Sequence, residues 1–225
     1  MAKKEEKTHD ELANVEHALT STEAFIEKYQ KQIITGVGII ILAVLLVMSF
    51  KNFYLDKREI TAQDELSKSQ AAFATDSFRV ALEGKGVQSM GFREISSQFG
   101  ITPSGKLASA YAGICCYKLG QYDEAIKFLS KFSGDDNYFA VSVIGLTGDC
   151  YVNLNETSKA VGYFEKAADK DNAVLSPVYL KKAGLIYESM NQPEKAEKLY
   201  TKIKEKYPKS SEASDIDKYL ARVQK

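Results

Sequence analysis

Gly113-Ile114-Cys115-Cys116-(x3)-Gly120-x-Tyr122-x-x-Ala125 decides how this chain is read, because the pattern returns twice downstream. The second copy is Gly148-Asp149-Cys150-Tyr151-(x3)-Asn155-(x4)-Ala160, and the third is Gly184-Leu185-Ile186-Tyr187-(x3)-Asn191-(x4)-Ala196. Their alanines stand 35 and then 36 residues apart (125 to 160, 160 to 196). A period of that length marks an array of helical pairs. One pair cannot bury its own hydrophobic face, so copies stack and leave an extended concave surface. Within each copy a glycine on the first helix (Gly113, Gly148, Gly184) and an alanine on the second (Ala125, Ala160, Ala196) allow close approach. Phe128, Leu129, Phe164 and Tyr200 are the expected core.

The period and its small-residue pattern resemble the tetratricopeptide repeat. The expected fold is all-α: a single N-terminal transmembrane helix, then a tetratricopeptide-repeat α-solenoid with a C-terminal capping helix. The expected divisions are 1–31 (tail with a short amphipathic helix), 32–51 (membrane span) and 52–104 (extended helix and degenerate first repeat). Three repeats follow over 105–209 and a cap over 210–225. In the tetratricopeptide fold, positions two, five, nine and twelve of each first helix line the concave face. Here these are Leu107, Ala110, Ile114 and Tyr117, then Ser142, Gly145, Asp149 and Val152, then Val178, Lys181, Leu185 and Glu188. The lining is mixed and partly apolar, which suits an extended polypeptide or a partner helix.

The 225 residues carry 30 basic and 30 acidic side chains, a formal net charge of zero. Nucleic acid is therefore not an expected partner, since phosphate binding needs a basic face. Residues 33–50, IITGVGIIILAVLLVMSF, hold no charge and lie between Lys31 and Lys51. About 18–20 apolar residues at about 1.5 Å each just cross a hydrocarbon core of about 30 Å. The run is too long and starts too late for a cleaved signal segment. Basic residues near its ends are Lys28 and Lys31 before, and Lys51, Lys57, Arg58 and Lys68 after. Taken alone, that count favours a cytoplasmic C-terminal side.

Before the span, Leu12, Val15, Leu19, Thr22, Ile26 and Tyr29 fall at steps of 3 and 4, a heptad stripe that offers dimerisation through the tail. Thr20 with Glu23 has capping-box spacing in the same stretch. After the span, residues 51–82 lack Gly and Pro, so the helix is expected to continue to about 82. Gly91 lies 34 residues before Ala125, at the register of a second-helix small residue. Pro103, Asn137, Asn172 and Pro208 share a register where turns between repeats are expected. Ser210 and Ser211 can cap a last helix ending near Val223.

No catalytic, cofactor-binding or metal site is expected. His9 and His17, the only histidines, lie in the tail eight residues apart, and no C-x-x-C occurs. Asp135-Asp136 and Asp169-Lys170-Asp171 read as solvated turns. Cys115 and Cys150 read as small buried side chains, with a Cys115–Cys150 disulfide the lesser alternative.

AFIEKYQKQI before the span and TPSGKLASAYAGICCYKLGQYDEAIKFL after it are similar to the YfgM-type ancillary subunit of the Sec translocon, over roughly residues 20–225. The resemblance implies a non-enzymatic, single-pass inner-membrane protein with its N-terminus cytoplasmic and its repeats periplasmic, against the charge count. It implies translocon subunits, a membrane-anchored periplasmic chaperone of prolyl-isomerase type and unfolded secretory clients as partners. A different reading from the same residues is a cell-envelope assembly scaffold that binds one fixed partner.

Overall fold

The computed structural model describes residues 28–224, so the tail heptads from Leu12 to Ile26, the Thr20–Glu23 box and both histidines lie outside the described residues. Every described element is helical. The chain divides into two compact units after Asp56.

In the first unit, helix α1 (Lys28–Ala74) begins with the apolar run and is the helix long and apolar enough to cross a membrane. Its large side chains from Ile33 to Val47 are exposed, Val47 to 69%. A soluble helix would hide such a stripe, so this one suits lipid. Just past the run, Phe50–Leu55 is wound as a π-helical segment, with Phe50 stacked on Tyr54 at 5.1 Å.

In the second unit, α1 ends at Ala74 and does not run on to about residue 82. No Gly or Pro is needed for the break. The Ala72 carbonyl accepts from the Thr75 and Ser77 amides and from the Thr75 hydroxyl, and Asp76 takes φ 55°. Local polar side chains thus compete with the helical ladder. Two short helices follow, α2 (Phe78–Glu83) and α3 (Phe92–Gln98). Gly91 does not sit inside a helix as its register suggested; it is the extended residue before α3. A side chain there would meet the Leu82 carbonyl at 2.2 Å.

Three helical pairs come next: α4 (Pro103–Lys118) with α5 (Tyr122–Leu129), α6 (Phe139–Asn153) with α7 (Thr157–Ala168), and α8 (Leu175–Ser189) with α9 (Pro193–Lys206). A 3-10 turn (Glu212–Asp215) leads into α10 (Ile216–Val223), which packs its Ile216 and Leu220 inward. The turn inside each pair is the same device three times. Gly120, Asn155 and Asn191 adopt φ 75°, 59° and 55°. The amides that follow them, on Gln121, Glu156 and Gln192, bond back to the carbonyls of Cys116, Tyr151 and Tyr187. These left-handed caps satisfy the orphan carbonyls of the first helices.

The small residues behave as their spacing implies. A methyl added at Gly113, Gly148 or Gly184 would come within 2.6, 2.6 and 2.4 Å of Leu129, Phe164 and Tyr200. Ala125, Ala160 and Ala196 are fully buried against the same seam. Buried side chains form two clusters, one from Ala62 to Cys150 and one from Val141 to Leu220.

Between pairs, the caps sit one residue before the register of turns at two of its positions: Thr102 accepts from the Gly105 amide, and Asp136 accepts from the amides of Tyr138 and Phe139. These amide bonds hold the Asp136 carboxyl below the usual carboxylate range. Asn172 carries the same duty, accepting from Val174 and Leu175 at 2.8 Å each and donating to the Asn137 carbonyl at 2.8 Å. It is buried, so Asn172→Ala leaves three polar groups without partners. The expected loss is about 1–3 kcal/mol, read as a lower urea midpoint at unchanged slope.

The degenerate N-terminal part is fastened polar group by polar group. Glu59 accepts from the Ser104 amide at 3.0 Å and hydroxyl at 2.6 Å, at the first turn of α4. Arg93 bridges Glu83 and Glu124, joining α2, α3 and α5, and lies over the Phe128 ring at 5.4 Å.

Candidate protein-binding groove

The first helices α4, α6 and α8 supply the positions expected to line the groove. Ile114, Ser142 and Asp149 come together, joined by Phe139, Val143, Leu146 and Tyr179, around a cleft of about 250 Å³. Along α6 the lining residues 139, 142, 146 and 149 form one stripe, as helical periodicity requires. Val152 and Leu185 are 40% and 42% exposed, a large share for such side chains. Tyr117 is half-buried against Tyr122, ring centroids 5.7 Å apart. Leu107 and Val178 are half-buried as well.

Other expected positions do not reach the cleft. Ala110 is fully buried, and Gly145 lies under the Tyr179 ring, where an added methyl would stand 2.0 Å from the ring. Phe139 and Leu146 were missed from sequence because α6 starts before the first of the four positions assigned to it, and the spacing 139, 142, 146, 149 is the signal that carries them. Tyr179 belongs to α8, one residue after the assigned Val178.

The C-terminal half of this face is taken up by ion pairs between neighbouring helices. Asp149 accepts from Lys182 at 2.7 and 2.8 Å. Lys181 donates to Asp215 at 2.7 Å and lies over the Tyr219 ring at 4.4 Å. Glu188 accepts from Arg222 at 2.6 and 2.7 Å and from the Tyr200 hydroxyl. The Arg222 guanidinium keeps the Glu188 carboxyl below its ordinary range. Lys181 and Glu188 therefore face the capping segment, not a free ligand surface. The groove has an apolar first half and a paired, charged second half.

Cys115, Cys116 and Cys150 are free and buried. Burial pushes each thiol up to about 12, so none is a thiolate nucleophile at neutral pH. The disulfide between Cys115 and Cys150 is not formed. Among the described residues, no group of three or more His, Cys, Asp or Glu could hold a metal ion. What the geometry offers is a surface for another polypeptide.

Comparison with known proteins bears on the fold. Residues 180–210, which hold most of α8 and all of α9, match the family described as Tetratricopeptide repeat. The crystal structure of a tetratricopeptide repeat protein from Parabacteroides merdae ATCC 43184 shares the fold with a TM-score of 0.58 at 19% identity. That match covers 72% of this chain and 60% of the other, so the chain spans under two thirds of its length. The crystal structure of MamA aligns at a TM-score of 0.49 and 16% identity, over 69% of this chain and 92% of that one. No curated protein matches the sequence. The chain is thus an all-helical protein with a tetratricopeptide-type solenoid, a protein-interaction fold, and one N-terminal helix able to span a membrane.

Proposed function

We propose that this is a membrane-anchored, non-enzymatic module that assists secreted polypeptides at the Sec translocon, with its repeats on the periplasmic side of the inner membrane. The observation that carries the reading is the apolar cleft around Ile114, Phe139 and Leu146 on a repeat solenoid tied to a membrane helix. An extended client places apolar side chains in such a cleft while its backbone stays solvated. The anchor compensates for weak binding by raising local concentration without new contacts. Support for the translocon and its periplasmic prolyl-isomerase-type chaperone as partners comes from the similarity of the two stretches flanking the span to the YfgM-type subunits.

The test uses the full chain in inner-membrane vesicles, with a photo-crosslinking amino acid at Ser142 and a secretory polypeptide stalled in the translocon. Adducts with several unrelated stalled chains and with a translocon subunit are expected. A cysteine at Ser214 should be labelled by a membrane-impermeant maleimide in intact spheroplasts. Capture of one fixed protein with every stalled chain would favour the assembly-scaffold reading instead, and failure to label Ser214→Cys would reverse the topology.

A further inference from the structure

The turn over residues 100–103, which leads into α4, holds two apolar side chains in solvent: Ile101, 58% exposed, and Pro103. Exposure alone does not set this turn apart, since Tyr138 and Val174 stand just before α6 and α8 and are equally exposed. Its attachment to α1 does. The Arg58 guanidinium donates to the Gln98 carbonyl and lies over the Phe99 ring at 5.1 Å. Glu59, next in the chain, accepts from the amide and hydroxyl of Ser104. The turn is thus pinned on both flanks by two consecutive residues of α1.

The direction of α4 decides which end of the repeats this is. Beyond Asp56, α1 meets α4 first at Glu59 with Ser104, then at Phe73 with Tyr111, ring centroids 5.1 Å apart. The two helices therefore run side by side in the same sense. The turn 100–103 sits at the end of α4 nearest residue 57, from which the chain leads back to the apolar run. The other end of α4 lies 16 residues on, about 24 Å along the helix, and is followed by the exposed Gln121.

Phe50, Phe53 and Tyr54 follow the apolar run and are exposed. Tyrosine rings in that position lie at the level of the lipid headgroups. Arg58 comes four residues after Tyr54, so α1 carries it at most about 6 Å further, whatever the tilt of the helix. The headgroup layer is itself about 5–8 Å deep on each side. Lys57 is exposed, and Lys106 stands in the first turn of α4, its amide bonded to the Thr102 carbonyl. Of the two acids closest in the chain, Glu59 is engaged by Ser104 and Asp56 is exposed.

We propose that the turn 100–103 is a second membrane contact, with Ile101 and Pro103 entering the headgroup layer beside the span and the neighbouring lysines facing anionic lipid. A small apolar tip flanked by basic side chains has the chemistry of an interfacial contact. The inference rests on α1 crossing the membrane and not on the translocon role, and it uses neither the groove around Ile114 nor the N-terminal tail.

The experiment uses the full chain in vesicles of phosphatidylcholine and phosphatidylglycerol, with a nitrobenzoxadiazole label on a single added cysteine. Cys115, Cys116 and Cys150 are buried, so the parent chain is the blank. Lipids spin-labelled near the headgroup serve as quenchers. A label at Leu46→Cys reports insertion of the span, and quenching there separates failure of this inference from failure of the anchor. A label at Pro103→Cys should be quenched at least about threefold more than one at Gln121→Cys, since only the first reaches the interface. Adding Ile101→Asp to the Pro103→Cys chain should bring its quenching down to the Gln121→Cys level, with helicity unchanged. The proposal is overturned, with Leu46→Cys quenched, by equal quenching at Pro103→Cys and Gln121→Cys. It is overturned equally by quenching indifferent to Ile101→Asp, as a label drawn into lipid by itself would give. A blue-shifted Pro103→Cys label that the lipids do not quench also overturns it, because protein and not lipid would then cover the turn.

Discussion

Phe164→Ala should lower the stability of the repeat unit by about 3–5 kcal/mol, among the largest losses available to a single truncation here. Phe164 is 1% exposed and belongs to α7, yet its surroundings come from three helices. Its ring lies over Gly148 of α6, where an added methyl would approach to 2.6 Å, and stacks on Tyr179 of α8 at 6.0 Å. The Lys182 ammonium stands 5.3 Å from the same ring. Removing the ring leaves a void that the glycine beside it cannot fill. At about 2–4 °C per kcal/mol for a unit of this size, the thermal midpoint should fall by about 6–20 °C. A solenoid transmits such a defect only through neighbouring contacts, so α6 and α8 should lose amide-exchange protection before α2 and α3. A midpoint change below about 1 kcal/mol equivalent would mean that the site collapses around the missing ring.

The second large effect is on binding. Changing Ile114, Val152 and Leu185 together to Asp should reduce capture of stalled secretory chains from the Ser142 probe by at least about tenfold, since each buried carboxylate would have to shed its water. Helicity and membrane insertion should be unchanged. Val152 and Leu185 are substantially exposed, and Ile114 is half-buried at the cleft rim. By contrast, exchanging Lys181 for Ala should have little influence on capture, because its ammonium is already engaged by Asp215. If the triple variant folds and captures the same chains at the same yield, the groove around Ile114 is not the site.

Much of this architecture was legible in the chain because one physical demand, close helix approach, leaves one kind of residue. Gly148 and Ala160 are small for the reason their spacing suggested, and Asn155 and Asn191 replace Gly120 because asparagine tolerates a left-handed backbone. The break after Ala74 was not legible, since it arises from hydroxyl and amide competition without a glycine or proline. The cap at Asp136 was hidden in an acidic pair that reads equally well as a solvated turn. The pairs Lys181–Asp215 and Glu188–Arg222 join residues 34 apart in sequence (181 to 215, 188 to 222), so they exist only once the stack fixes which faces meet. That is also why the sequence does not show that Lys181 and Glu188, expected at the groove, are engaged by Asp215 and Arg222.

The three buried thiols set a clock. On the proposed periplasmic side, a chain that emerges unfolded exposes Cys115, Cys116 and Cys150 to disulfide exchange, and adjacent Cys115 and Cys116 would be well placed to pair wrongly with Cys150. Once folded, each is buried and its thiolate is suppressed, so the reactive form disappears together with access. Protection is thus kinetic and begins when α4 and α6 close over these sulfurs. Local helical pairing, which forms on the microsecond-to-millisecond scale, outruns disulfide chemistry that takes seconds or longer. The repeat architecture lets a cysteine-bearing chain mature without a dedicated disulfide, provided nothing holds it open for long.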